Sequence, residues 1–239
     1  AIAKCDILLC ESISAAQRLC QHAQIAPPKL KRYWAKNEKA VLHEIEKADE
    51  NCIGLISDAG TPLISDPGYG IVKLFHDRGW RVKVVPGPTA LISALVLSGI
   101  PTHEFGFYGF LLPKSEGRKK ELKRILQTQM TWVVYESPRR ILSLCQDIEA
   151  VFGSDHHVCV IKEMTKIHET IWRGAVSDVI ERLSDANLRG EFVVVGAEGL
   201  AQVQWQQVAS DLMQELSLKR VSSIVSQLYG VSKSQVYDF

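Results

Sequence analysis

Two acids stand in nearly the same setting in the segment LISDAGTPLISDPGYG, Leu55–Gly70. Each copy of Ile-Ser-Asp runs into a Pro/Gly-rich stretch, yet their prospects differ. Asp66 is followed by Pro67 and a helical pattern. Asp is a preferred helix N-cap and Pro fits the first turn, so Asp66 is expected to start a helix. Asp58 closes the strand-like run CIGLIS, and Gly60 and Pro62 beyond it exclude a helix there. Its carboxylate is expected to project into a crevice, where small Ala59 and Gly60 let a ligand approach the backbone. The alternative is a turn acid bonded to its own backbone. A second loop, Pro86-Gly87-Pro88-Thr89-Ala90, follows RVKVV and opens a helix, whose N-terminal N–H groups favour an anion. Together the loops suit a ligand with a hydroxylated sugar, a carboxylate and an apolar or cationic body. Neither G-x-G-x-x-G nor G-x-x-x-x-G-K-[ST] occurs, so a dinucleotide or P-loop triphosphate is unsupported.

The elements that must position these loops alternate along the chain. Strands are expected at Cys5–Cys10, Cys52–Ser57 and Arg81–Val85. Helices are expected near Ser14–His22, Asn37–Lys47, Pro67–Arg78 and Thr89–Ser98. That rhythm, with short connections, predicts a mostly parallel α/β sheet, and ligands bind such sheets beyond the carboxyl ends of the strands. After Gly109–Pro113 (GFLLP) the texture changes. A basic helix from Lys114 leads into strands at Trp132–Tyr135, His157–Ile161, Thr170–Gly174 and Phe192–Gly196, with helices at Arg139–Val151 and Val176–Leu183. The expected organisation is therefore an N-terminal α/β domain, residues 1–111, a C-terminal α/β domain, residues 112–200, and a helical appendage, residues 201–239. In the appendage Leu218, Val221, Ile224, Val225 and Leu228 share one helical face. Gly230 breaks that helix, and Ser232 caps another, a pair resembling a helix-turn-helix.

Composition bounds the possibilities. The chain has 239 residues, 46% of them hydrophobic, enough for one large or two small cores. A net charge of +1 excludes a polycation, so any nucleic-acid surface must arise from local clustering. The six cysteines match no usual zinc spacing and read as reduced, buried thiols of a cytosolic protein. The apolar run Leu91–Leu97 is too short to span a bilayer.

The motifs SDAGTPLISDPG, VPGPTALISALVLSGIP, GFLLP, YESPRR, KEMTKIHE and GEFVVV follow one another over nearly the whole chain. In that order they resemble the ribosomal RNA small-subunit methyltransferase I family, a branch of the tetrapyrrole methylase superfamily. The resemblance implies two α/β domains with S-adenosylmethionine in the cleft between them, a homodimer, and 2′-O-methylation of a cytidine ribose in the decoding region of 16S rRNA. Carried over motif by motif, it places the cofactor against Asp58, Ala59, Gly60, Thr61 and Pro62, then Pro86, Gly87, Thr89 and Ala90. Tyr135, Glu136 and Ser137, with Gly190, Glu191 and Phe192, are expected to close the cleft.

A ribose 2′-hydroxyl is a poor nucleophile, so its attack needs placement and a base or a cation near the developing alkoxide. Lys162, Glu163 and Lys166 are candidates from the second domain, and Glu11 and Asp58 from the first; a solvated strand end is the alternative for KEMTK. His168 is a base candidate or a surface residue. RNA, free or as the small ribosomal subunit, would meet Lys114, Arg118, Lys119, Lys120 and Arg124 of KSEGRKKELKR, with Arg139; a solvated helix face is the alternative. KLKRYWAK sets Lys29, Lys31, Arg32 and Lys36 beside Tyr33 and Trp34, a mixture suited to stacking on unpaired bases, or with Trp34 packed on the sheet edge.

The chain departs from the family pattern in three places. Glu11 is kept, but Ser12, Ile13 and Ser14 replace the usual Asp-Thr-Arg. Arg139 stands where the family has His. The family's first strand and its Pro/Gly loop have no counterpart ahead of Ala1. Two rival functions keep parts of this account: methylation of a small molecule such as a tetrapyrrole, and a non-catalytic paralogue, which the altered Glu11–Ser14 loop favours.

Overall fold

The computed structural model describes residues 1–47, 52–198, 205–229 and 231–239. A short 3-10 turn, Ile2–Lys4, leads into β1 (Ile7–Cys10), whose four residues are all buried. Helix α1 (Ile13–His22) starts at Ser12, whose Oγ accepts the Ala15 N–H at 3.2 Å. Then come β2 (Lys29–Arg32), α2 (Glu38–Glu46), β3 (Ile53–Leu55), α3 (Tyr69–Asp77) and α4 (Ala90–Ser98). The three strands form a parallel sheet in the order β2-β1-β3. Ile7, Leu9, Tyr33, Val41, Ile45 and Ile71 make a core between this sheet and α2 and α3.

The second sheet has five strands in the order β4-β5-β8-β6-β7: β4 (Phe105–Phe110), β5 (Thr131–Glu136), β8 (Phe192–Gly196), β6 (His157–Lys162) and β7 (Thr170–Ala175). Only β4 and β5 run parallel; the other pairs are antiparallel. Its two faces bury different partners. Trp132, Val134, Val160, Phe192 and Val194 pack against α5 (Ser115–Thr128), α6 (Ile141–Phe152) and α7 (Val176–Ser184). Val133, Ile161, Val193 and Val195 pack against Leu91, Ala94 and Leu95 of α4. The helix behind the Pro86–Ala90 loop thus rests on the second sheet.

Among the described residues one expected strand is absent and two strands, β2 and β4, were not expected. Arg81–Val85 forms no strand with the described residues, and Val84 and Val85 are 78% and 70% exposed. β2 was hidden in a basic segment because Leu30 is its sole apolar residue; its backbone pairing with β1, rather than its side chains, defines it. β4, ahead of the expected boundary at 111/112, pairs with β5 and so belongs to the second sheet. The boundary at 200/201 and the break at Gly230 lie outside the described residues.

At the C-terminus α8 (Trp205–Met213), α9 (Leu218–Tyr229) and α10 (Lys233–Tyr237) enclose Ala209, Val221, Val225 and Val236. Ser232 caps α10 in a full capping box with Gln235. Leu228, expected on the same helical face as Val221 and Val225, is 67% exposed. Among the cysteines Cys10, Cys20, Cys145 and Cys159 are buried, but Cys5 and Cys52 are only partly so, their sulfurs 3.9 Å apart. No helix among the described residues is long and apolar enough to cross a membrane.

Candidate active site

The strand end that carries Asp58 is locked to its neighbour from both sides. The Asp58 N–H donates to Glu11 Oε1 at 3.3 Å, and Asp58 Oδ1 accepts the Ser12 N–H at 3.2 Å. The altered loop after β1 is therefore integrated with the site: Ser12 uses its hydroxyl for α1 and its backbone N–H for Asp58. The Asp58 loop folds back on itself, the Ser57 hydroxyl bonding the Ala59 and Gly60 carbonyls at 3.0 and 3.1 Å.

Thr61 then joins the two predicted loops. Its hydroxyl donates to the Pro88 carbonyl at 3.0 Å. Gly60, at φ +75°, lies over the same carbonyl, and a methyl group added at Gly87 would meet nothing within 4 Å. Beyond Pro62 the chain is strained: Leu63 and Ser65 both take positive φ, 73° and 63°. Non-glycine residues in that region cost about 1–3 kcal/mol and cluster at functional sites. Gly109 of β4 leaves room for the Ser65 hydroxyl, which lies 3.3 Å from where a Cβ would stand.

Asp66 does not cap α3. The N-cap is Gly68, at φ 142°, with no side-chain cap. Pro67 and Gly68 carry the chain one further bend before the helix starts, which frees the carboxylate to turn inward. Burial raises its proton affinity, Glu11 and then Asp58 add to this, and the Ser57 hydroxyl opposes it. The two Ile-Ser-Asp copies thus put their acids within electrostatic reach of each other.

Tyr135 ties the second sheet to α4. Its hydroxyl accepts the Leu91 N–H at 3.0 Å, so one of the α4 donors expected to hold an anion is already taken. Burial pushes the phenol above its usual range, with Asp66 a contributing charge. Phe107 and Phe110 pack edge-on against its ring, at 4.9 and 5.8 Å between centroids.

The remaining expected residues divide. Glu136 and Lys162 both stand opposite Phe192, so they share the face covered by α5–α7, whereas Tyr135 faces α4. Glu136 is buried, with Oε1 held by the Ser137 N–H at 2.6 Å and by Arg140 at 2.7 Å; Arg140 Nε also approaches Ser137 Oγ at 3.3 Å. Lys162 donates to the Asn187 carbonyl at 2.6 Å. Glu163, at φ 49°, joins Lys166 at 2.9 Å, and Lys166 also meets Glu191 at 3.0 Å. The Lys166 hydrogen bond, then the Glu191 backbone, hold the Glu163 carboxyl below its usual range; Glu163 and Glu191 in turn hold Lys166 above its own. These three form a paired cluster rather than a poised base.

Of the basic residues expected to meet RNA, Lys114, Lys120 and Arg124 are exposed along α5, and Arg139 is exposed before α6. Arg118 is not among them: it is 2% exposed and bonds Asp147 at 2.7 Å. Lys119 reaches the same carboxylate at 3.4 Å. The sequence motif shows the charge of Arg118 but not the partner 29 residues away that draws it inside. Missed by motif reasoning were Asp66 and the Ser65–Gly109 approach; the signal available was Gly68, which displaces the helix start.

The chain belongs to the tetrapyrrole (corrin/porphyrin) methylases, whose family model matches residues 1–180. Its curated relatives there are ribosomal RNA small subunit methyltransferase I proteins. It is 38% identical to that of Haemophilus influenzae over 248 residues, covering 99% of this chain and 87% of the relative. It is 34% identical to that of Pasteurella multocida, covering 98% and 86%. For Thermotoga maritima the identity is 37%, covering 80% and 85%. Among solved structures the fold is shared with a cobalt precorrin-4 methyltransferase (TM-score 0.56, 15% identity, 82% of this chain and 85% of that one). It is also shared with the uroporphyrin-III C-methyl transferase of Thermus thermophilus complexed with S-adenyl homocysteine (TM-score 0.51, 18% identity, 82% and 87%).

Proposed function

We propose that this chain transfers a methyl group from S-adenosylmethionine to the 2′-oxygen of a cytidine ribose in the decoding region of 16S rRNA. It would act in the cytoplasm, as a homodimer. The observation that carries the reading is the joining of the Asp58–Pro62 and Pro86–Ala90 loops by the Thr61–Pro88 hydrogen bond, beside glycine backbone. The names of the relatives supply the substrate class.

The residues present fit the cofactor. Gly87 leaves backbone open for close approach. Asp58 and Asp66 offer carboxylates to ribose hydroxyls and to a cationic centre. The bound cofactor supplies an electrophilic methyl group; the chain does the rest. Thr61 fixes the spacing of the loops, and Tyr135 fixes α4 against the second sheet. Asp66, whose proton affinity is raised, accepts the 2′-hydroxyl proton better than Glu163, whose carboxyl is held by Lys166. Lys114, Lys120, Arg124 and Arg139 meet phosphates. The homodimer is supported by the outer face of α4, where Ile92, Val96 and Leu97 are 46%, 76% and 42% exposed.

Mapping ribose methylation on small-subunit rRNA from a strain lacking this protein tests the assignment. One cytidine 2′-O-methyl group should be lost and restored by the gene; an unchanged map contradicts it.

A further inference from the structure

Two residues beyond β2 stands an aromatic residue that the fold leaves outside. Tyr33 is 1% exposed and its hydroxyl donates to Glu38 Oε1, but its neighbour Trp34 is 42% exposed. Just past the strand the chain turns, burying Tyr33 and leaving Trp34 outside. The turn that carries it is held by one residue: the Trp34 N–H donates to Asn37 Oδ1 at 2.9 Å, and Asn37 Nδ2 donates to the Arg32 carbonyl at 2.8 Å. The Arg32 guanidinium lies 5.5 Å from the indole centroid and the Lys36 ammonium 5.6 Å.

Position makes this more than a surface tryptophan. Arg32 Nε donates to the Glu11 carbonyl at 3.2 Å, and Glu11 Oε1 accepts the Asp58 N–H. The indole is therefore linked to Asp58 by three contacts, through Arg32 and Glu11, at the same carboxyl end of the sheet.

We infer that Trp34, flanked by Arg32 and Lys36, is a stacking platform for an unpaired nucleobase next to the methylated nucleotide. Stacking on an aromatic face is sequence-tolerant, and adjacent cations take up the phosphates on either side. Arg32, anchored to Glu11, sets the platform's place, while the exposed Lys36 swings from the ring to the backbone phosphate as the base arrives. The inference rests on the RNA substrate of the proposed function.

The test measures affinity of the full chain for a single-stranded oligoribonucleotide of the decoding-region sequence. Trp34→Ala should weaken it about tenfold, Trp34→Phe should keep most of it, and Lys36→Gln should lower its salt dependence. Affinity for S-adenosylmethionine and the melting temperature should stay as in the wild type. Wild-type RNA affinity in Trp34→Ala, or equal losses in Trp34→Ala and Trp34→Phe, would overturn the platform. Loss of affinity for intact small subunits without loss for the oligonucleotide would point to a ribosomal protein instead, and would also overturn it. Methyl transfer by the wild type to small subunits is scored separately, so a failure of the proposed function is distinguished from a failure of the platform.

Discussion

The Tyr135 hydroxyl accepts the Leu91 N–H, so a side chain near the carboxyl end of β5 caps the helix that opens behind the Pro86–Ala90 loop. A cap of this kind contributes about 1 kcal/mol, and here it also sets where the loop stands. Tyr135→Phe should lower stability by about 1 kcal/mol and weaken S-adenosylmethionine binding several-fold. Calorimetric titration and thermal melts check both; a variant that loses stability with unchanged cofactor affinity would separate the cap from the site.

Asp66 offers a sharper test. A carboxylate whose folded proton affinity is raised binds more protons in the folded than in the unfolded state, so stability falls as pH rises through that window. Asp66→Asn should therefore raise the melting temperature at neutral pH, with a smaller gain in acid, and should lower the methyl-transfer rate at least tenfold. Asp58→Ala should chiefly weaken cofactor binding. An Asp66→Asn variant less stable than wild type at neutral pH would return Asp66 to a structural role.

Much of the fold was legible because hydrophobic pattern and caps agree: β1 and β8 read as buried runs, and Ser232 announces its helix. What was not legible depended on partners distant in sequence. β2 is an edge strand defined by its backbone, and Lys31 pairs with Glu44 across to α2. Arg81–Val85 has strand-like composition but no neighbour to pair with among the described residues. The two loops of the site were visible from glycine and proline punctuation; Asp66 was not, because Asp-Pro is an equally good helix start on paper.

Arg118 and Asp147 are predicted to matter for folding rather than for RNA. Burial opposes the charge on Asp147, but the bonds from Ser115 and Arg118 outweigh it, and the carboxyl sits below its usual range. This stability is present above the unfolded carboxylate value and lost as pH falls through the lower folded one. Asp147→Ala should cost about 3–5 kcal/mol by stranding a buried guanidinium. By contrast, Lys120→Ala and Arg124→Ala should leave the melt unchanged and each reduce the salt slope of RNA binding by about 1.

Gly190 sits where a Cβ would stand 2.5 Å from Glu163 Cγ, at φ +126°. Gly190→Ala should displace Glu163 and break its tie to Lys166, costing about 1–3 kcal/mol. Chemical denaturation measures the loss; unchanged stability would mean that the Glu163–Lys166–Glu191 cluster relaxes freely.

The central claim is methyl transfer to a ribose oxygen of RNA at the joined loops. Purified protein, S-adenosylmethionine carrying a labelled methyl group and small ribosomal subunits lacking the modification test it most directly, with digestion of the product to nucleosides. The account predicts label in 2′-O-methylcytidine from one position, and none with Asp58→Ala at cofactor concentrations that saturate the wild type. Label on a base, label on protein, or equal transfer by Asp58→Ala would contradict it.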